Sequence, residues 1–172
     1  MPTIPEFSLV ELPDINDLPA VLLEARQTHT PSVQILLYNA KGELLTMDED
    51  RGKRSILPDT KIHSPYGTRQ IEDAVYKEFG IENEGRFVGQ ALIKAWNLPL
   101  VPHRPRIFVP FAFPSCSNTL LVAPPATRYF WRDPEEALEI LQTDDTNHGI
   151  SGIQRRSIAM YSIQEFQKLE LS

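Results

Sequence analysis

The residues that could do chemistry gather in two stretches, positions 48–82 and 103–106. The first holds Glu72, Asp73, Lys77 and Glu78 at helical spacing, with Glu82 beyond Gly80. Carboxylates one helical turn apart can grip a hard cation such as Mg²⁺, which takes oxygen ligands and polarises a phosphate for attack by water. No such pair is complete here. Glu72 is followed one turn on by Tyr76 and Asp73 by Lys77, while Ala74 stands one turn before Glu78. Glu82 comes one turn after Glu78, but Gly80 breaks the helix between them. The spacing alone therefore assigns no residue a catalytic role.

The candidate ligand-binding residues are Arg51, Arg54, His63, Arg104 and Arg106. Guanidinium groups match phosphate and carboxylate oxygens in a two-pronged fork, and Lys53 lies in the same charged run. Each has a plainer reading as a charged residue of a solvated loop. His29, His63, His103 and His148 form no pair at metal-ligand spacing, so zinc is not expected. No P-loop, G-x-G-x-x-G, G-x-S-x-G or H-E-x-x-H motif occurs. Cys116 is the only cysteine, which excludes an internal disulfide; it reads as a small loop or core residue.

These residues need a scaffold, and periodicity supplies one. Asp17 is expected to cap a helix from Leu18 to about Gln27 that buries Leu18, Val21, Leu22 and Ala25. Val33–Tyr38 is nearly continuous in apolar residues and reads as a strand buried on both faces. A turn at Asn39–Gly42 leads into a second strand, Glu43–Met47. Asp48–Arg54 reads as a charged loop, Ser55–Pro58 as a short strand and Asp59–Thr68 as a loop. Thr68 then caps a helix over Arg69–Phe79 with Ile71, Val75 and Phe79 inward, Asp73 and Lys77 as an i, i+4 ion pair, and Gly80 as its C-terminal stop. Arg86–Trp96 reads as one long strand. Arg106–Phe113 is another, whose Pro110 implies an edge or a bulge. Arg128–Trp131 is a short strand, and Asp133-Pro134 starts a helix burying Ala137, Leu138 and Leu141. Thr143–Gly152 reads as a loop, Ile153–Tyr161 as helix or strand, and Ser162–Glu165 as a capping box opening a last helix.

The order strand, Lys41-Gly42-Glu43 turn, strand, Leu57-Pro58, loop, helix, Gly80-Ile81 resembles a Nudix hydrolase domain. Arg86-Phe87-Val88-Gly89 and the Tyr129–Ala137 run continue the likeness; Ala159–Phe166 is a second candidate for that last element. The resemblance implies an α+β fold, an α/β/α sandwich with a mixed β-sheet flanked by helices. It implies a glutamate-rich helix that binds Mg²⁺ or Mn²⁺ and hydrolyses diphosphates. Anchored on Gly80-Ile81, the family's signature places Val75 at its aliphatic position and Glu78 at its last glutamate, so the resemblance implies Glu78 as the candidate metal ligand. Lys77 stands at the preceding glutamate, Ala74 at a principal metal-binding glutamate and Asp73 at the arginine. Pro65 stands at an earlier glutamate and Asp59 at the first glycine. The scaffold positions are kept and most acids are not.

With 172 residues, 41% hydrophobic and 23% charged, the chain reads as a single core-bearing domain over 32–172, preceded by an N-terminal extension, 1–31, with one helix packed on the core. A net charge of −6 argues against a general nucleic-acid coat. No apolar run of membrane length and no secretory signal is visible, so a soluble cytoplasmic protein is expected. Three functions compete. One is a Nudix-like pocket with a decayed hydrolase centre, used for a small ligand that carries phosphate, for protein interaction (a homodimer included) or for different chemistry. The second is an active Nudix-type hydrolase that uses Mg²⁺ and recruits Glu135 or Glu136 beside Glu78. The third is a regulatory, partner-binding subunit, against which the short stretch after the domain and the negative charge both weigh.

Overall fold

The computed structural model describes residues 7–49, 54–82, 84–95, 105–116, 128–143 and 149–171. Its centre is a pair of parallel strands, β2 (Thr30–Asn39) and β8 (Arg106–Cys116). Around them the described strands join in the order β1-β7-β8-β2-β3-β4, with β1 Ser8–Glu11, β3 Leu44–Glu49, β4 Arg54–Ile56 and β7 Ala91–Ala95. Three short strands complete the network: β5 (Asp59–Lys61) on β2, β6 (Arg86–Phe87) on β8 and β9 (Arg128–Arg132) on β3. The other pairings are antiparallel.

The apolar run in β2 produces a sheet covered on both sides. Val33, Ile35 and Leu37 face one core with Leu18 and Leu22 of α1 (Leu18–Ala25) and Ile71, Val75 and Phe79 of α2 (Thr68–Phe79). Leu36 and Tyr38 face the other, with Ala137, Leu138 and Leu141 of α3 (Pro134–Thr143) and Ile163 and Phe166 of α4 (Gly149–Leu171). A period of two thus sends alternate side chains to opposite layers, giving the α/β/α sandwich. No helix among the described residues is long and apolar enough to cross a membrane.

Several sequence expectations need correction. The Asp17 side chain does not cap α1; Asp14 instead caps a short 3-10 turn at Ile15–Asp17 by accepting from Asn16 N at 2.9 Å. That helix also stops at Ala25, and Thr30-Pro31 belongs to β2. Asp48, Glu49 and Arg54 lie in strands rather than a loop, and residues 50–53 lie outside the described ones. The expected loop Asp59–Thr68 begins with β5, and Gly67 rather than Thr68 holds the cap position of α2. Gln70 Oε1 closes that end by accepting from Gly67 N at 2.8 Å.

Arg86–Trp96 is two strands, not one. Gly89, at φ 75°, turns the chain between β6 and β7, and Trp96 lies outside the described residues. The same break explains Pro110, which sits in the central strand β8 and not at an edge. β7 pairs with Arg106–Phe108 and β6 with Phe111 and Ala112. Pro110 falls at the changeover, where its carbonyl accepts from Val88 N at 2.9 Å. Its missing N–H therefore costs no ladder bond. Ser162 opens no helix: its hydroxyl donates to Ile158 O at 2.8 Å inside the continuous α4, which also absorbs Gly149–Gly152. Of the two candidate family elements, Tyr129–Ala137 is the one that runs strand, Asp133 cap, helix; Ala159–Phe166 is helical throughout.

Gly80 ends α2 at φ 72°, donating its N–H to Tyr76 O at 2.7 Å. A side chain there meets the left-handed backbone's steric penalty, so Gly80→Ala is expected to cost about 1–2 kcal/mol. A lower urea midpoint at unchanged m-value checks it.

Candidate functional site

A cleft of about 370 Å³ opens between β5 and α2. One wall is Thr60 and Lys61 of β5, continued by His63 and Ser64 of the following loop. The other is one face of α2, where Gln70, Asp73, Ala74, Lys77 and Glu78 recur at intervals of three and four residues. The opposite face of α2 is nailed into the core by Ile71, Val75 and Phe79. The strand wall is fixed from behind. Ile62 N donates to Pro31 O at 3.1 Å, and Gln34 Nε2 donates to Pro58 O at 2.9 Å. The loop is held by Tyr66, buried at φ 62°, whose N–H donates to His63 O at 3.1 Å.

Glu78 is half-buried at the inner end of this face. Its Oε1 accepts from Thr60 Oγ1 at 3.5 Å. Tyr129 of β9 packs edge-on to Phe79, ring centres 5.6 Å apart. Burial first, and the Glu78 charge second, push the Tyr129 phenol above its ordinary 10.0. Glu78→Gln is expected to lower the Tyr129 ionisation pH only part of the way, because burial remains. Titrating phenolate absorbance with and without Tyr129→Phe isolates that group. A raised folded value means its stabilisation is whole below the unfolded phenol value and is lost as pH rises through the folded one.

The described candidate residues each have a definite place. His63 and Glu78 both line the cleft. Arg106 begins β8 and is engaged within the protein: Nη2 donates to Ser32 Oγ at 2.9 Å and to Asp59 Oδ1 at 2.8 Å, and the guanidinium lies 4.6 Å from the centre of the Phe108 ring. It ties the start of β8 to the start of β5 and so braces the strand wall. Arg54 pairs through β4 with Glu49 of β3. Arg51 and Arg104 lie outside the described residues, as do Lys53, His103 and His148. Sequence reasoning missed Thr60, Lys61, Ser64 and Gln70 as lining residues. Thr60 and Lys61 lie on a three-residue strand that shows no periodicity to read, so the strand wall left no signal, whereas Gln70 shares the helical spacing of Asp73 and Lys77.

A divalent cation does not fit this donor set. Asp73 and Glu78 are both in the cleft but lie five positions apart on the helix, well off one turn. Ala74 occupies the position one turn before Glu78, and Lys77 adds a like charge to any cation. Glu72 points elsewhere: its Oε2 accepts from Gly85 N at 3.1 Å. Among the described residues no group of three His, Cys, Asp or Glu side chains is arranged to hold a metal. The expected Asp73–Lys77 ion pair is also not formed; the described ion pairs are Arg106–Asp59 and Lys168–Glu165.

The mixed sheet between helical layers, with a strand–loop–helix cleft on one side, is the architecture of the Nudix hydrolases, and the chain has that fold. Solved structures carry the comparison. The E. coli dihydroneopterin triphosphate pyrophosphohydrolase superposes with a TM-score of 0.57 at 10% identity, over 81% of this chain and 97% of that one. The MutT protein from Methanosarcina mazei Go1 gives 0.55 at 18% identity, over 84% and 96%. The Nudix hydrolase candidate Tm1382 gives 0.59 at 10% identity, over 92% and 90%. No family model matches the sequence, and no curated protein matches it.

Proposed function

We propose that this Nudix-fold protein binds a small ligand in the β5–α2 cleft and does not carry out metal-dependent diphosphate hydrolysis. The observation that carries this reading is the cleft face of α2, where Ala74 and Lys77 stand beside a single well-placed carboxylate, Glu78. Metal-assisted hydrolysis needs several oxygen ligands converging on one cation. Recruiting acids from α3 does not supply them. Glu135 accepts a hydrogen bond from Gln167 Nε2 of α4 at 3.0 Å, and neither Glu135 nor Glu136 lines the cleft. What the cleft retains is shape and polar side chains, which suit binding and orientation.

The test is a turnover assay on the full chain with Mg²⁺ or Mn²⁺. Nucleoside triphosphates, nucleoside diphosphate sugars and dihydroneopterin triphosphate (the substrate for which one structural neighbour is named) are the compounds to offer. Background release of phosphate, pyrophosphate or nucleoside monophosphate is expected throughout. Robust metal-dependent release from any of them rejects the proposal.

A further inference from the structure

We infer that the outer edge of β1 is a docking surface for a second copy of this chain, β1 against β1, antiparallel about a two-fold axis. The inference goes beyond the proposed function. The β5–α2 cleft lies across β7, β8 and β2 from this edge, so the cleft of each copy stays open. β1 ends the strand path and pairs with β7 alone among the described strands. The phase of that pairing fixes which backbone groups are left over. Leu12 N donates to Gln90 O at 2.7 Å, in register with Val10↔Leu92 and Ser8↔Lys94. Successive residues of a strand aim their N–H and C=O at opposite edges. Ser8, Val10 and Leu12 therefore point theirs at β7, while Leu9 and Glu11, with Phe7 two residues earlier, point theirs outward. Natural edges are commonly blunted by lysine, proline or a bulge. β1 holds no lysine or proline, and its register is unbroken. Leu9 is 47% exposed, on the face of its cross-strand partner Ile93.

The occupant is a second copy because the edge is complementary to itself. A two-fold axis normal to the sheet keeps every side chain on its own face. With Leu9 on the axis, Leu9 meets its counterpart, Phe7 meets Glu11 and Ser8 meets Val10. The outward groups of Phe7, Leu9 and Glu11 are then all paired, in about six backbone hydrogen bonds. The two exposed leucines cover each other. Glu11, the only charge in β1, stands about 13 Å along the strands from its counterpart. Moving the axis to Glu11 sets the two carboxylates directly against each other, which is destabilising. Moving it to Val10 sets Leu9 against Glu11 and Phe7 against Pro13, which has no N–H to donate. One register therefore satisfies the edge without opposing like charges. A pairing this short buries little surface, so the dimer is weak, with a dissociation constant in the micromolar range.

Sedimentation velocity of the full chain, from low to high micromolar protein, tests the idea. A monomer–dimer equilibrium is expected. Leu9→Lys sets two ammonium groups against each other across the axis and is expected to weaken the dimer by about tenfold or more; Leu9→Glu does the same with carboxylates. An equimolar mixture of these two variants is expected to dimerise again, because the axis then brings unlike charges together. Leu23→Lys, at a leucine of α1 that is equally exposed, leaves association unchanged. Circular dichroism confirms that the variants are folded. A chain that is monomeric throughout overturns the inference, whether the edge stays bare or takes up a foreign strand. So do dimers that survive Leu9→Lys, dimers lost equally with Leu23→Lys, or a mixture that stays monomeric.

Discussion

Ala74→Glu is expected to raise the cleft's affinity for a divalent cation. Ala74 and Glu78 lie one turn apart on the same face of α2, and both line the cleft. A glutamate at 74 places two carboxylates side by side where a metal can bridge them. Alanine to glutamate costs little helix propensity, so the backbone that presents the pair is kept. Screening at a half-exposed site reduces the raw Coulomb gain, leaving about tenfold to a hundredfold tighter Mn²⁺ binding. Adding Lys77→Gln removes a repelling ammonium and increases the gain further. Tyr76→Glu is the control: it adds the same charge at an exposed position outside the cleft and should leave Mn²⁺ affinity near that of the parent. Titration followed by the loss of free Mn²⁺ resonance reads all four proteins. If Ala74→Glu binds no better than Tyr76→Glu, carboxylates at 74 and 78 do not form a cation site.

Long periodic segments made the sandwich legible in sequence, and short ones hid the site's strand wall. β2 was readable because its nine consecutive buried residues, Pro31–Asn39, include a nearly continuous apolar run over Val33–Tyr38. The inward face of α2 was readable because Ile71, Val75 and Phe79 recur at helical spacing and Gly80 follows in the left-handed region. The helix half of the cleft came with it, since the residues beside that stripe share its periodicity. β5 is three residues long, and Asp59 alternates with Thr60 and Lys61 in no pattern that distinguishes strand from loop. The partner of Arg106 was invisible for a different reason. Asp59 and Ser32 meet it only once β2, β5 and β8 are assembled, and that pairing sets its role as a brace. Pro110 misled because proline in a strand signals an edge locally, whereas the break that tolerates it lies in the neighbouring chain segment at Gly89. Ser162 misled because a capping pattern within a helix looks the same as one at its start. Only the Ile158 carbonyl, one turn back, shows that the helix was already running.

Phe79→Ala is expected to produce the largest loss of stability of the substitutions considered. Phe79 is 2% exposed, closes the last turn of α2 onto the core and meets the Tyr129 ring at 83°. Truncation removes the apolar area and leaves a cavity that the strands behind it cannot fill, at a cost of about 3–5 kcal/mol. For a domain of this size that is a fall in Tm of roughly 6–20 °C. The damage reaches the site, because Glu78 is the adjacent residue and its neighbour Tyr129 loses its packing partner. The Tyr129 phenol becomes better solvated, so its ionisation should move down toward the ordinary value, the direction opposite to burial. Tyr76→Ala on the same helix, 48% exposed, should stay within about 0.5 kcal/mol of the parent. Thermal and urea unfolding of the two variants therefore separates core anchoring from helix propensity. A Phe79→Ala protein within 1 kcal/mol of Tyr76→Ala means that α2 is not held by this face, and the cleft wall it presents would then have no fixed geometry.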